Sequence, residues 1–175
     1  MSKNFIINIL NLNFYQKTIL FLKLSFCVSS TMLFSAFYLE YFKNLPPCDL
    51  CITQRWFHVF ILLYSLTLYI TMKTKNLPLT LVILGLALVW ISSGLAGMYH
   101  FGIELKLWTG PEACSSNLIF SKDLLKDLLK KSPIKCDEIM FSILGISLAG
   151  WNAIVSSIIF LFLSLILITK GILKP

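Results

Sequence analysis

The chain has 175 residues, of which 57% are hydrophobic and only 13% are charged. A soluble domain of this size cannot bury so much apolar surface, so the composition indicates a membrane protein. The net charge of +7 does not indicate a nucleic-acid-binding protein, because no basic face with interleaved aromatic residues lies outside the apolar segments.

Four long apolar segments predict four transmembrane helices. An α-helix needs about 20 residues to cross about 30 Å of hydrocarbon, and in lipid it satisfies its own backbone hydrogen bonds. The first segment is predicted to be a retained anchor, because it is too long for a cleavable signal and no small-residue cleavage site follows it. The predicted spans are about 19–39, 56–72, 77–99 and 149–169.

The lysines predict the orientation of these helices. Lysines occur in the N-terminal tail, in the turn after the second segment and at the C-terminus, and none of these stretches carries an acidic residue. An excess of basic residues in short loops is typical of the cytoplasmic side. Both termini are therefore predicted to be cytoplasmic, and the external loops 43–55 and 100–141 are predicted to face the opposite side.

The predicted topology separates the five cysteines. Cys27 falls inside the first segment, where cysteine is usually a small apolar packing residue. Each external loop carries two of the others, Cys48 and Cys51 in the first and Cys114 and Cys136 in the second. If the external side is the oxidising bacterial periplasm, this distribution indicates two disulfides. Four thiolates also suit structural zinc, but such sites usually contain two C-x-x-C pairs and this chain has one.

The stretch PPCDLCITQRW predicts a redox-active cysteine pair at the start of a helix. Pro46 and Pro47 end any preceding helix. A helix that begins near Asp49 places Cys51 in its first turn, where the helix dipole favours a thiolate. Arg55 lies four residues further on, on the same helix face. Its permanent charge is predicted to lower the pKa of Cys51, unless the side chain only reaches the membrane interface.

The second external loop carries an amphipathic pattern, SKDLLKDLLKKS, between its two cysteines. The segment is too short and too charged to span a membrane, so it predicts a short interfacial helix on the membrane surface. An ordinary packed external helix is the alternative. From spacing alone, Cys114 and Cys136 are either a mobile redox pair or a static structural disulfide.

Three other positions are given structural interpretations. His58 is predicted to be a packed helix histidine, with a place in a ligand pocket as the alternative. Gly94 and Gly97 indicate close helix packing. Asn152, which follows Trp151 at the start of the last segment, is predicted to be an interfacial anchor.

Three stretches together resemble the bacterial disulfide bond formation protein B (DsbB) family. PPCDLCITQRW resembles the first cysteine motif of the family. GMYHFGIELKLWTGPEAC resembles its loop leading to the third cysteine, and KCDEIMFSILGISLAGWNAIVS resembles its segment from the fourth cysteine into the last helix. The resemblance covers nearly all of the chain after the tail. It agrees with an all-α membrane protein, a four-transmembrane-helix bundle with a short amphipathic interfacial helix in the second external loop, forming one domain over 1–175.

The resemblance implies a quinone-dependent thiol oxidase of the bacterial inner membrane, with its cysteine loops in the periplasm. Its partner would be a periplasmic DsbA-like thioredoxin-fold protein that it reoxidises. Electrons would pass from Cys114 and Cys136 to Cys48 and Cys51, and then to a membrane quinone. The partner would attack Cys114 to give a mixed disulfide.

The resemblance also implies the residues that meet the acceptor. Cys51 would contact the quinone, and Arg55 would stabilise both the Cys51 thiolate and the quinone oxygen. His100 would lie near the quinone. The quinone would be ubiquinone or menaquinone, and no metal is expected. The sequence does not separate a general partner from a dedicated one. The alternative function is a non-enzymatic membrane scaffold whose loops are stapled by disulfides.

Overall fold

The computed structural model describes residues 12–111 and 136–172, and within them four long helices form a bundle. The helices are α1 (Phe14–Lys43), α2 (Asp49–Thr71), α3 (Leu79–Glu104) and α4 (Leu148–Ile172). A short antiparallel hairpin of β1 (Ser142–Ile143) and β2 (Ile146–Ser147) leads directly into α4. The all-helical prediction is therefore confirmed for the described residues.

Local sequence signals place the helix ends. Asn13 and Gln16 form a capping box at the start of α1, each side chain bonding to the other's backbone N–H. Asn44 ends α1 in the left-handed conformation, which asparagine tolerates better than most residues. Helix α2 begins at Asp49, directly after the Pro46–Pro47–Cys48 sequence, as the proline pair predicts.

Three of the described helices are long and apolar enough to cross a membrane: α1, α3 and the Leu148–Thr169 part of α4. They identify the chain as a multi-pass membrane protein. Helix α2 falls short of the same hydropathy because Gln54, Arg55 and His58 lie in its N-terminal part. The predicted interfacial helix lies outside the described residues.

The interior of the bundle combines a cluster of large apolar side chains, among them Leu22, Ile61 and Leu86, with small buried serines. Lipid tails are as apolar as leucine, so helices in a membrane associate through close packing and hydrogen bonds. Trp90 occupies the centre and donates from Nε1 to Ser25 Oγ at 3.0 Å. Buried serines line the interior at Ser25, Ser29, Ser65, Ser93 and Ser156. The outer face exposes Phe34, Leu81, Leu95 and Leu161, among others.

Close packing of α3 against α4 positions the polar groups of the site. A Cβ added at Gly97 would lie 2.8 Å from the Ala153 amide nitrogen and 3.0 Å from the Ala149 carbonyl oxygen. One at Gly94 would lie 3.3 Å from the Ser156 Cβ. The packing role predicted for these two glycines is confirmed, and it brings α3 within hydrogen-bonding distance of α4.

Gly97→Ala is expected to destabilise the bundle, because the added Cβ would clash with backbone atoms of α4, which cannot change rotamer as a side chain can. Overpacking costs about 1–3 kcal/mol, and the better helix propensity of alanine offsets about 1 kcal/mol of it. Thermal unfolding in detergent should show a lower Tm. Gly85→Ala is the matched control, since its Cβ would meet the movable hydroxyl end of Tyr64. Equal Tm values for the two variants would contradict the packing role.

Candidate functional site: a buried dithiol beside a cavity

The site begins with two free thiols at the N-terminus of α2. Cys48 is the N-cap residue, and its sulfur accepts a hydrogen bond from the Cys51 N–H at 3.3 Å. The two Sγ atoms lie 2.8 Å apart, with Cys48 donating to Cys51. Cys48 is buried and Cys51 is half-buried. The C-x-x-C spacing thus places both sulfurs where the unpaired N–H groups of the first helical turn point.

The environment of the pair distinguishes its two sulfurs. The hydrogen bond to Cys51, together with burial, raises the pKa of Cys48 well above its ordinary value. The same hydrogen bond lowers the pKa of Cys51, against the opposing effect of burial. The Arg55 charge also lowers the pKa of Cys51, as the smallest of the contributions, and the Glu104 charge raises it. The environment therefore favours the thiolate at Cys51 over the thiolate at Cys48, which is the hydrogen-bond donor.

Arg55 lies beside the dithiol but takes its direct partners from α1. Its guanidinium forms an ion pair with Glu40, donates to the Ala36 carbonyl at 3.3 Å and lies 5.1 Å from the centre of the Phe37 ring. The sequence pointed to no role for Glu40. The Arg55 charge that was predicted to lower the pKa of Cys51 is thus also paired with the Glu40 carboxylate.

His100 lies on the other side of the dithiol and is 2% exposed. Its Nε2 is 3.6 Å from Cys48 Sγ and 3.8 Å from a Glu104 carboxylate oxygen. Its Nδ1 is 2.8 Å from the Gln54 amide nitrogen. Glu104 accepts a hydrogen bond from Ser147, so the carboxylate is held by the hairpin.

Asn152 joins these groups to the interior of the bundle. Its amide nitrogen donates to Gln54 Oε1 at 2.7 Å and to the Ser93 carbonyl at 3.3 Å. Its oxygen lies 3.0 Å from His58 Nε2 and 3.0 Å from Ser156 Oγ. The predicted anchoring role of Asn152 is wrong, because the residue is buried, 3% exposed, and bonded to α2 and α3.

His58 is a buried histidine with partners on two other helices. Besides the Asn152 oxygen, its ring meets Ser29 Oγ at 3.5 Å and the edge of Trp90. The prediction of a packed helix histidine is confirmed. It also lines the cavity described below, which was the alternative interpretation.

Cys136 approaches the dithiol from the segment before the hairpin. It is buried and disulfide-bonded. Its sulfur, the sulfur of Cys48 and a ring nitrogen of His100 all lie within 4.8 Å of one another. Cys114 lies outside the described residues. The structure therefore brings together three of the four cysteines predicted to be redox-active.

These donor atoms resemble a metal site in part. Structural zinc sites take four thiolate or imidazole ligands. A disulfide-bonded Cys136 offers no thiolate, which leaves Cys48 and His100 from the cluster. The donor set therefore does not complete a zinc site in this state of the protein.

A cavity of about 300 Å³ opens beside Cys51. Its wall is mainly apolar and includes Met32, Phe141 and Val155. Cys51, Arg55 and His100 supply polar groups to the lining, together with Gln54 and Glu104. A largely apolar pocket with a few convergent polar groups is typical of a site for a small organic ligand.

The sequence did not identify Gln54, Glu104 or Glu40. Gln54 follows the C-x-x-C on the same helix, and Glu104 lies one helical turn after His100. The available signals were a polar residue shortly after the cysteine motif for Gln54 and an acidic residue one turn after His100 for Glu104.

Comparisons with known proteins show the family of the chain. The family model of the disulfide bond formation protein DsbB matches residues 17–166. Disulfide bond formation protein B of Cupriavidus metallidurans is 30% identical over 151 residues, covering 82% of this chain and 88% of the relative. An uncharacterized protein of Rickettsia prowazekii is 28% identical over 145 residues, covering 80% of this chain and 82% of the relative. No solved structure matches the chain.

Cys48→Ala is expected to raise the pKa of Cys51, because it removes the thiol that donates to that sulfur. Only the thiolate is alkylated rapidly, so the pH midpoint of iodoacetamide labelling at Cys51 should move to higher pH. Peptide mass mapping assigns the label. Cys27→Ala, which alters an exposed thiol on α1, is the control and should leave the midpoint in place. An unmoved midpoint in Cys48→Ala would show that Cys48 does not stabilise the thiolate.

Proposed function

Because the chain belongs to the disulfide bond formation protein B family, we propose that it is a quinone-dependent thiol oxidase that reoxidises a periplasmic DsbA-like protein. One observation carries the proposal: the sulfur of disulfide-bonded Cys136 lies within 4.8 Å of Cys48, which is paired with Cys51 beside the cavity. Cys136 thus lies beside the Cys48–Cys51 pair, next to a cavity that suits a small organic acceptor.

Electrons move through two successive thiol–disulfide exchanges. The partner's thiolate attacks Cys114 of a Cys114–Cys136 disulfide, and its second thiol closes the partner disulfide, leaving two thiols on this chain. A Cys136 thiolate then attacks a Cys48–Cys51 disulfide, and Cys114 closes the outer pair again. The inner dithiol now carries the two electrons. Each exchange needs a thiolate and an accessible sulfur, and the proximity of Cys136 to Cys48 supports the second one.

The cavity beside Cys51 is the proposed place of the quinone, ubiquinone or menaquinone. A quinone supplies an acceptor for two electrons and two protons, the numbers that a dithiol gives up when it closes to a disulfide. Arg55 and His100 would hold the quinone oxygens by hydrogen bonds. Met32 and Phe141 would pack against its ring and keep water out.

Helix α2 is proposed as the fourth transmembrane helix of a single domain. Its outer face exposes Phe60, Leu63 and Ile70, which recur at helical spacing, so its C-terminal part presents apolar surface to lipid. Four spans place both termini on one side, the lysine-rich cytoplasmic side. The cysteine loops then face the periplasm, and the bilayer is the bacterial inner membrane.

Cys51→Ser is expected to abolish quinone reduction, because serine cannot close a disulfide with Cys48. The measurement is the anaerobic loss of quinone absorbance when purified protein receives a reduced periplasmic thioredoxin-fold partner and a soluble quinone. Cys27→Ala is the control and should turn over normally. Absence of turnover with every quinone and partner, with disulfides that resist mild thiols, would instead favour a membrane scaffold stapled by disulfides.

Arg55→Met is expected to raise the KM for quinone about 10-fold or more, since a hydrogen bond from a charged donor contributes about 1.5–3 kcal/mol. Steady-state quinone titration measures this change. Lys43→Met removes an exposed cation at the end of α1 and is the matched control. If both variants titrate like the unchanged protein, Arg55 is a structural partner of Glu40 and not a quinone ligand.

A further inference from the structure

The position of the proton on His100 decides what this residue can do at the dithiol. A neutral imidazole donates from one nitrogen and accepts at the other, and neighbouring groups select between the two tautomers. In this chain Nε2 faces Cys48 and Nδ1 faces Gln54. The tautomer therefore determines whether His100 offers the dithiol a hydrogen-bond donor or a base.

The selection starts at a backbone carbonyl. The Ser93 carbonyl oxygen can only accept, and the Asn152 side chain lies 3.3 Å from it. The Asn152 amide nitrogen must therefore face that carbonyl, because the opposite orientation would set two acceptors against each other. The Asn152 oxygen then faces His58 and accepts from the hydroxyls of Ser93 and Ser156. The orientation of Asn152 follows from one unambiguous acceptor.

Asn152 passes this constraint to Gln54. Its amide nitrogen also lies 2.7 Å from Gln54, so the Gln54 atom at that contact must be the oxygen. The Gln54 amide nitrogen is then the atom 2.8 Å from His100 Nδ1. A side-chain amide nitrogen only donates, so Nδ1 must accept and carries no proton.

A carboxylate on the other side of the ring favours the same arrangement. His100 Nε2 lies 3.8 Å from a Glu104 carboxylate oxygen, which is longer than a hydrogen bond but close enough for electrostatic attraction. A proton on Nε2 faces that oxygen favourably, whereas an unprotonated Nε2 would place two electron-rich atoms side by side.

We infer that Gln54 and Asn152 are positioning residues that hold His100 in the Nε2–H tautomer, so that His100 meets the dithiol and the cavity as a hydrogen-bond donor. His100 then stabilises negative charge at Cys48 when that residue is deprotonated, or at the oxygen of a cavity ligand. It does not take the Cys48 proton at Nε2. The assignment of the dithiol as the reacting group rests on the proposed function, whereas the tautomer rests on the hydrogen bonds alone.

The chain has two histidines, so ¹⁵N-histidine labelling of the full protein in detergent gives a spectrum of only two imidazoles. Long-range ¹H–¹⁵N correlation separates protonated from unprotonated ring nitrogens, and loss of signals in His100→Gln assigns them. The expected result is a protonated Nε2 and a hydrogen-bonded, unprotonated Nδ1 for His100. A proton on Nδ1 would overturn the inference.

Gln54→Met tests the positioning role while nearly preserving side-chain volume. It removes the donor to Nδ1, so the Nδ1 signal should shift to that of a nitrogen that has lost its hydrogen bond or gained a proton. Ser65→Ala is the matched control, because Ser65 is also buried on α2 and donates only to the Ile61 carbonyl within the helix. An unchanged Nδ1 signal in Gln54→Met would refute the role of Gln54.

Turnover separates this inference from the proposed function. Gln54→Met should slow quinone reduction about 10-fold, less than the about 10²-fold expected for removing a donor itself, and Ser65→Ala should not slow it. If Gln54→Met shifts the Nδ1 signal but reduces quinone at the unchanged rate, the tautomer has no part in the reaction. The expected tautomer in a protein that reduces no quinone would leave the hydrogen-bond inference standing and reject the oxidase.

Discussion

The polar groups inside this bundle must satisfy one another, because lipid offers them no hydrogen bonds. Asn152 meets this requirement for three helices. Its amide protons bond to Gln54 on α2 and to Ser93 on α3. Its oxygen bonds to His58 on α2, whose ring in turn contacts Ser29 on α1. A rotation of any one helix would leave a buried polar group without a partner. The start of α2, and with it the dithiol, is therefore held against α3 and α4 by hydrogen bonds and not by apolar packing alone.

The same fixed start of α2 makes the two sulfurs chemically unequal. Cys48 occupies the N-cap and donates a hydrogen bond to Cys51. Cys51 lies inside the first turn and accepts that bond. The pKa of Cys51 is lowered first by this neighbour and least by Arg55. Thiolate character at Cys51 thus follows from the C-x-x-C spacing and the helix start. That leaves the Arg55 guanidinium, which borders the cavity, available to a ligand.

The sequence was sufficient for features that depend on local pattern. Segment length gave the helices, and the proline pair gave the start of α2 at Asp49. Gly94 and Gly97 indicated close helix packing, but the polar contacts between helices could not be predicted, because an apolar helix carries no clear sign of its rotation about its axis. Asn152 was therefore interpreted as an interfacial residue, although it is buried and bonded to α2 and α3. The predicted third span ended at residue 99 and placed His100 in the external loop, although α3 continues to Glu104.

The pairing of Arg55 with Glu40 bears on the direction of electron flow in the proposed oxidase. A dithiol is a stronger reductant when its thiolate is less stabilised. Strongly oxidising proteins show the opposite case, because their reduced form is stabilised. Glu40 neutralises much of the Arg55 charge, so the Cys51 thiolate receives only part of it. The nearby Glu104 carboxylate opposes the thiolate further. Closing the Cys48–Cys51 disulfide removes that negative charge and leaves Arg55 balanced by Glu40. Glu40 and Glu104 thus offset part of the stabilisation that the Cys48 hydrogen bond gives the Cys51 thiolate, and so they limit how strongly the reduced inner pair is favoured.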